Sequence, residues 1–373
     1  MKTACRWLIW TRVADLRPKA EDGGILMAGE PEIDWDSLTF SLTTTDWMYK
    51  ARCRLEEAWQ PGRIIPYASF EIDPAAGVLN YGQGIFEGMK AHRTVQNRII
   101  IFRPKQNARR FQAGADRLGM PPVPESIFID AVEQTVAANG GWIPPTGKGA
   151  LYIRPLLIGT GPIMGVAPSP EYTFLVFVTP VGPYFEGGLS CIELIISDEY
   201  HRAAPGGSGG VKAIGNYAPG MVPSRRAKKA GYAEVIYLDA TEHRYIEEVG
   251  AANFFCVTDR ILHTPELTGT ILPGITRDSI IQLARHRGYE VVEERVSAEF
   301  AMQADEAFCC GTAAVIAPIG SISHGDEKKT YLEGAVGPVT RELYNALTGI
   351  QTEMAADAFG WLHEVDLELP LSR

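Results

Sequence analysis

The stretch Gly210-Val211-Lys212-Ala213-Ile214-Gly215-Asn216-Tyr217-Ala218-Pro219 places one lysine in a glycine-rich loop. No aspartate or glutamate occurs from residue 202 to residue 222, so no neighbour along the chain favours the charged form of Lys212. An amine attacks a carbonyl carbon only when it is uncharged, so a catalytic lysine needs a lowered pKa. The stretch predicts a reactive lysine, with glycines at 206, 207, 209 and 210 that let the backbone pass close to a bulky ligand. The alternative is a solvated lysine in a flexible loop.

The composition is that of an ordinary globular protein with room for about two domains: 373 residues, 46% hydrophobic and 21% charged. A net charge of -10 argues against nonspecific binding to nucleic acid and favours a small-molecule partner. The six cysteines form no C-x-x-C pair and the seven histidines are scattered. We therefore expect no metal centre, no disulfide framework and a reducing compartment.

The apolar runs have the length of strands, as in residues 172–178, so we expect no membrane span. The first twenty residues are basic and amphipathic, a pattern seen in organelle presequences, although serine is not enriched. The alternative is a poorly ordered extension over residues 1–32, with Met27 as the working start. The expected location is intracellular and soluble, in the cytoplasm, mitochondrion or plastid.

Hydrophobic periodicity predicts a small N-terminal α/β domain over residues 33–179. In the helix predicted from about 106 to 118, Ala108, Phe111, Ala115 and Leu118 form one apolar stripe. Strands are predicted at 44–55, 99–102, 151–158 and 172–178. The alternation of strand residues places Tyr152 and Arg154 on one face, where the pair can hold a carboxylate. The alternative partner for Arg154 is an acid across the sheet.

Residues 180–189 have the proline and glycine content of an interdomain loop, and residues 190–373 are predicted to form a larger second domain. Its strands are expected at 191–196, 234–239 and 245–257. A tight turn before Ile275 and Thr276 begins a helix that stops near Gly288. The N–H groups at that helix start favour an anion such as phosphate.

These motifs resemble, in order, those of the branched-chain aminotransferases, which belong to the class IV pyridoxal-phosphate (PLP) enzymes. The matching segments extend from about Tyr81 to Pro318 and are 81–91, 102–110, 151–158, 210–219, 245–257, 269–279 and 304–315. The residues of these motifs are most similar to those of the plant and algal branch of the family. The resemblance implies the α/β fold of fold-type IV enzymes, with a pseudo-barrel in the larger domain and the cofactor between the domains.

The resemblance also implies roles for individual residues. Lys212 is the catalytic residue that would hold PLP as a Schiff base, and Glu248 would keep the pyridine nitrogen protonated. Arg110 would bind the phosphate through its planar fork, with Arg109 as the competing choice. The other implied cofactor contacts are Tyr217, Ile275, Thr276, Gly311 and Thr312. The implied substrate contacts are Tyr81, Phe86, Gly88, Tyr152, Arg154, Tyr184, Thr312 and Ala313.

The implied reaction is ping-pong transamination of L-leucine, L-isoleucine and L-valine with 2-oxoglutarate, which yields L-glutamate, in a homodimer. A D-amino acid aminotransferase or an aminodeoxychorismate lyase of the same fold is the enzymatic alternative. The non-enzymatic alternative is a catalytically dead paralogue that binds a partner. The preference among the aliphatic substrates, methionine-derived 2-oxo acids included, stays open because one methylene contributes only about 1–3 kcal/mol in an apolar pocket. The redox C-x-x-C of some animal members is absent, because Ala314 and Ala317 occupy its positions.

Overall fold

The computed structural model describes residues 33–185 and 188–372, so the predicted presequence lies outside the described residues. Within that range it contains seven α-helices, numbered α1 to α7 in chain order. They are α1 Gly77–Tyr81, α2 Pro104–Arg117, α3 Glu125–Ala138, α4 Met221–Lys229, α5 Ile275–His286, α6 Ala298–Gln303 and α7 Pro338–Gln351.

An eight-stranded antiparallel sheet organises the N-terminal half. Its main path is β17-β5-β4-β6-β7-β1-β2, and β3 pairs with β6 beside β4. The strands are β1 Trp47–Arg54, β2 Arg63–Pro66, β3 Gly84–Phe86, β4 Met89–Arg93, β5 Ile99–Phe102, β6 Ala150–Gly159, β7 Glu171–Val181 and β17 Leu362–Glu364. The four strands predicted in this half are confirmed.

Strand β6 carries a proline at a break in the neighbouring strand. Residues 151–153 pair with β4 and residues 156–158 pair with β3, so Pro155 faces the gap between β3 and β4. Its carbonyl accepts a hydrogen bond from Glu87 N at 2.9 Å. A proline offers no N–H, so this irregular position is where a central strand tolerates it.

Helices α2 and α3 cover one face of the first sheet with aromatic side chains. Phe111 of α2 lies 5.2 Å from Phe128 of α3 and 5.7 Å from Phe174 of β7, measured between ring centroids. All three rings are fully buried. The stripe predicted on α2 is confirmed, because Ala108, Phe111 and Ala115 are buried and Leu118 packs against the same cluster.

A nine-stranded sheet forms the C-terminal half and closes on itself. The strands are β8 Ile192–Ser197, β9 Glu234–Leu238, β10 Ile246–Val249, β11 Ala252–Thr258, β12 Ile261–Pro265, β13 Val291–Glu294, β14 Glu306–Gly311, β15 Val315–His324 and β16 Glu327–Thr330. Strand β10 pairs with both β9 and β11, so β10-β9-β8-β15-β14-β11 form a ring. This is the expected pseudo-barrel, and helices α5 and α7 pack against its strands β11, β14 and β15 and against the neighbouring β12.

The C-terminal end of the chain returns to the first sheet, where β17 pairs antiparallel with β5. Arg103, next to β5, donates through its backbone N to the carbonyl of Trp361 at 2.8 Å. The division into domains at residues 180–189 stays a prediction. None of the helices in residues 33–185 and 188–372 has the length and apolar character to cross a membrane.

Candidate active site

Lys212 lies where its loop meets the edge of the first sheet. The backbone N of Phe86 donates to the Lys212 carbonyl at 3.1 Å, and Ala213 forms a bridge with Ile85. The Lys212 Nζ donates to the Tyr217 hydroxyl at 3.0 Å and lies 4.6 Å from the centre of the Phe86 ring. The two rings contact each other, with centroids 4.9 Å apart, so the structure places the lysine amine beside a pair of aromatic rings.

The glycines before Lys212 pack against protein backbone. A Cβ on Gly209 would lie 2.2 Å from the Thr270 carbonyl oxygen, and one on Gly210 would lie 2.9 Å from that of Gly269. The expectation that these two glycines make room for a ligand is therefore wrong, because what they accommodate is the segment before α5. Asn216 Nδ2 donates to the carbonyls of Ser208 at 2.7 Å and Val211 at 2.9 Å, which fixes the loop.

The environment of Lys212 favours a neutral amine. Burial lowers the pKa of Lys212 to about 8, and the guanidinium groups of Arg110 and Arg154 act in the same direction. The carboxylates of Glu87 and Glu248 oppose that shift, although neither is near Lys212 in sequence. Burial also raises the pKa of Tyr217, so its phenol keeps its proton. A lowered lysine pKa is what nucleophilic and proton-transfer roles require.

Arg110 points inward from α2 and forms a two-pronged ion pair with Glu87. Its Nε donates to Glu87 Oε1 at 2.7 Å, its Nη2 to Glu87 Oε2 at 2.8 Å, and its Nη1 to the Pro273 carbonyl at 3.0 Å. The Glu87 side chain is fully buried, and it also accepts from Asn107 Nδ2 at 2.7 Å. Burial disfavours the Arg110 charge, but Glu87 more than offsets it and the pKa of Arg110 is raised.

The neighbouring arginine points the other way. The Arg109 side chain is 61% exposed and pairs with Glu125 of α3 at 3.3 Å. Because successive helix residues lie about 100° apart around the axis, only one of the two can face the interior. The structure therefore favours Arg110 over Arg109 as the arginine of the cluster.

Glu248 is the buried acid of the cluster. Its Oε1 accepts from Asn253 Nδ2 at 3.1 Å, and its Oε2 lies against Arg202 Nε. Within the described residues Oε2 is therefore paired by charge with Arg202, but it has no hydrogen-bond donor. Burial raises the pKa of Glu248 to about 7, although Arg202 and Lys212 lower it.

Tyr152 and Arg154 share one face of β6, as predicted. Arg154 Nη2 donates to the Tyr152 hydroxyl at 3.1 Å, and its guanidinium carbon lies 4.7 Å from the centre of the Phe86 ring. A Cβ on Gly88 would lie 2.2 Å from the Tyr152 hydroxyl oxygen, so a side chain at residue 88 would displace Tyr152. These four residues form one wall next to Lys212.

The start of α5 and the turn after β14 face a common cavity. Ile275, Thr276, Gly311 and Thr312 all line it, together with Gly88. Their backbone N–H groups at a helix start and in a turn are of the kind that binds phosphate.

The turn after β14 is attached to the first sheet by two side-chain hydrogen bonds. Thr312 Oγ1 donates to the Gly88 carbonyl at 3.2 Å, and Lys90 Nζ donates to the Ala313 carbonyl at 2.6 Å. Val315, which follows the turn, has a φ of 63°, a strained value for a β-branched residue. The two hydrogen bonds hold the turn in this conformation.

Two predicted site residues lie apart from this cluster. The Tyr81 hydroxyl donates to the carbonyl of Met164, and the Tyr184 ring packs against Phe185 with half of its surface exposed. Within the described residues, neither tyrosine makes a hydrogen bond or a ring contact with Lys212. The other predicted site residues are brought together by the fold.

Sequence reasoning missed Glu87, Arg202, Asn253 and Lys90. Glu87 and Lys90 lie inside the quoted segment 81–91, but the residues around Glu87 do not indicate that it pairs with Arg110. Arg202 and Asn253 have no local pattern that marks them. Only the contacts described above identify these four residues.

The comparison with known families matches residues 84–322 to the family described as amino-transferase class IV. The chain belongs to this family. Members of this class use PLP as their cofactor, so the chain is classed with the PLP-dependent transaminases.

Two relatives and one solved structure show the resemblance in detail. A branched-chain-amino-acid aminotransferase of Arabidopsis thaliana, named chloroplastic, is 50% identical over 330 residues, covering 88% of this chain and 80% of that protein. A methionine aminotransferase of the same organism is 46% identical over 334 residues, covering 90% and 94%. The crystal structure of the branched-chain amino acid aminotransferase from Thermobaculum terrenum, in its PLP form, has a TM-score of 0.73 and 26% identity, covering 87% and 99%. The predicted resemblance and fold are confirmed.

Proposed function

We propose that this class IV aminotransferase transfers the amino group of L-leucine, L-isoleucine and L-valine to 2-oxoglutarate, with PLP as its cofactor. The observation that carries the proposal is the Lys212 cluster. A half-buried amine with a pKa of about 8 lies beside the ring pair of Phe86 and Tyr217, close to a buried arginine and a buried acid. The similarity to a branched-chain-amino-acid aminotransferase over most of both chains supports the substrate class.

The residues present fit PLP. Glu248 Oε2 is a buried carboxylate oxygen without a hydrogen-bond donor among the described residues, which suits a protonated ring nitrogen. Three of the five guanidinium N–H groups of Arg110 are used by Glu87 and Pro273, so two remain for a phosphate. The amides of Ile275, Thr276, Gly311 and Thr312 and the Tyr217 hydroxyl complete the proposed cofactor contacts. PLP supplies a carbonyl that takes up the amine and a ring that accepts the electron pair of the broken Cα–H bond.

The chain's own residues then orient the substrate and move its proton. Lys212 Nζ would take the proton from the substrate Cα as a general base and deliver it, as a general acid, to the carbon that carried the cofactor's carbonyl, a role that its lowered pKa favours. Tyr152 and the amides of Thr312 and Ala313 hold the α-carboxylate, and Arg154 receives the second carboxylate of glutamate. Phe86 and Gly88 form the apolar wall of the side-chain pocket.

We also propose a homodimer in which Tyr81 and Tyr184 reach the site. Tyr81 is attached to Met164, and Met164 and Val166 on the same loop are 82% and 89% exposed. Exposed apolar side chains of this kind are suited to a subunit contact. Light scattering of the purified chain should give twice the mass of one chain, and a monomer that is fully active would contradict the proposal.

A second substrate class is favoured by one finding. The 46% identity to a methionine aminotransferase extends over 90% of this chain, so methionine and its 2-oxo acid are the alternative substrates. The ratio of kcat/KM for L-leucine and L-methionine decides between them. We further propose a location in the cytoplasm or an organelle, and the chloroplastic name of the other relative supports an organelle.

The test of the proposal is the visible absorption spectrum of the full-length chain purified with PLP. L-leucine should shift the band of the bound cofactor, and 2-oxoglutarate should restore it. A band that responds only to D-alanine would favour the D-amino acid aminotransferase. The absence of any cofactor band after addition of PLP would favour the catalytically dead paralogue. Lys212→Ala is the control, since normal turnover by that variant would contradict the assignment of the lysine.

A further inference from the structure

Arg202 connects three parts of the chain behind the proposed cofactor site. Its side chain is only 7% exposed. Its Nη1 donates to the carbonyl of Thr270 at 2.8 Å and to that of Gly209 at 3.2 Å, and its Nε forms the ion pair with Glu248. The guanidinium group is therefore fixed from both sides, between the loop that leads to Lys212 and the strand that carries Glu248.

Two adjacent buried carboxyl groups lie next to the positive charge of Arg202. Glu247 and Glu248 on β10 are 5% and 1% exposed, and in the described residues the Oε2 atom of each has no hydrogen-bond donor. Burial raises the pKa of both carboxyl groups. Burying a carboxylate without a cation is costly, so an unpaired Glu248 would take up a proton at neutral pH.

Three cations interact with Glu248, namely Lys212, Arg110 and Arg202, and they differ in whether their charge is permanent and free for this acid. Lys212 must be neutral for part of the proposed reaction, so it is not a permanent counter-ion. A guanidinium group stays protonated at every physiological pH. Arg110 is engaged by Glu87, which leaves Arg202 as the fixed cation next to Glu248 among the described residues.

We propose that Arg202 is a positioning residue that favours the ionised form of Glu248 while leaving its Oε2 without a hydrogen bond, available to a protonated ring nitrogen. The inference rests on the proposed PLP-dependent function. Arg202 stabilises the charge of the acid through the contact of its Nε with Oε2, and within the described residues that contact is an ion pair without a hydrogen bond. A hydrogen bond from Arg202 to that oxygen would compete with the cofactor.

The pH dependence of cofactor binding tests this role. The titratable or charged groups that act on Glu248, or on which it acts, are Arg110, Arg202, Lys212, Tyr217, Glu247 and Cys310. Arg202 is the largest influence that opposes burial. Removal of Arg202 therefore raises the pKa of Glu248. Glu248 then carries a proton up to a higher pH, and a protonated Glu248 cannot pair with the protonated ring nitrogen of PLP.

The experiment measures the dissociation constant of PLP for the full-length chain by equilibrium dialysis from pH 6 to pH 9, together with the absorption of the bound cofactor. Arg202→Met should weaken PLP binding at pH 7 by about tenfold for each unit by which the Glu248 pKa rises. The pH at which binding is half-lost should move upward. Arg202→Lys retains a cation and should show a smaller shift, and Arg225→Met on the exposed side of α4 is the matched control.

Rescue distinguishes charge from a structural role. Arg202 lines a cavity of about 200 Å³ together with Tyr217 and Ala251, which gives a small ion a way to the position of the guanidinium group. Methylguanidinium at millimolar concentration should restore PLP binding to Arg202→Ala, and a neutral additive such as methylurea should not. This rescue measurement uses Arg202→Ala, so it still tests the proposal if Arg202→Met folds poorly.

Two results would overturn the inference: an unchanged pH dependence in Arg202→Met, or rescue by methylurea as effective as by methylguanidinium. Failure of the proposed function looks different. In that case the wild-type chain itself binds no PLP or shows no response to any amino acid, whereas failure of this inference leaves the wild-type response intact.

Discussion

The replacement of Arg110 by methionine tests a buried ion pair of the site. Arg110 donates two hydrogen bonds to Glu87, whose carboxylate has no exposed surface. Removal of the arginine leaves Glu87 with Asn107 and the Gly88 amide as its partners, and neither carries a charge. The neighbouring residue gives a matched control, because Arg109 lies on the same helix, 61% exposed, in an ion pair with Glu125.

The structure predicts very different losses of unfolding free energy for the two variants. Breaking a buried ion pair by removing one partner costs about 3–5 kcal/mol. An exposed pair such as Arg109–Glu125 contributes only about 0–1 kcal/mol. Methionine is a good helix former, so the change in helix propensity is small and similar at the two positions. Arg110→Met should therefore be less stable than Arg109→Met by at least about 2 kcal/mol.

The assay is urea unfolding of the full-length chain without added PLP, followed by circular dichroism. A lower midpoint with an unchanged slope reports a loss of stability. The double variant Arg110→Met with Glu87→Gln removes the unpaired charge and should recover most of the loss, while PLP binding stays weak because the phosphate still lacks its arginine. Equal midpoints for the Arg109 and Arg110 single variants would refute the reasoning.

Three further predictions concern other members of the cluster. Lys212→Met should abolish turnover and raise the urea midpoint at pH 7, because the lowered pKa of Lys212 makes its charged form unfavourable in the folded chain. For the same reason, the unfolding free energy of the wild type should rise with pH from about 8 toward the pKa of lysine in the unfolded chain. A wild-type stability that does not change over this pH range would contradict this. Arg154→Ala should reduce kcat/KM for glutamate more than for leucine, and equal losses would count against its proposed contact. Lys90→Met removes the hydrogen bond to Ala313 and should raise the KM for leucine by about tenfold, with circular dichroism as the check on folding.

The secondary structure was largely predictable because it depends on local patterns. The apolar stripe of α2 and the alternation of Tyr152 and Arg154 repeat with the periods of a helix and a strand. Both are found where the sequence places them. The order of the motifs identified the family for the same reason, since each motif is a short run of consecutive residues.

The pairing of charges was not predictable, because partners that are far apart in sequence determine it. Glu87 pairs with Arg110 and Glu248 with Arg202, and no periodic pattern connects either pair. The prediction for Gly209 and Gly210 is wrong for the same reason. Their neighbour is the backbone of residues 269–270, which the sequence does not place beside them.

The sequence by itself therefore determined the fold class and the family and predicted the reactive lysine, because all three depend on residue type and spacing along the chain. The tertiary structure decided the pKa of that lysine. Burial between two sheets lowers its pKa to about 8, with Arg110 and Arg154 acting against the two carboxylates. Desolvation and Coulomb interactions depend on distance in space, so they exist only once the closed β-ring and the antiparallel sheet have brought these side chains together.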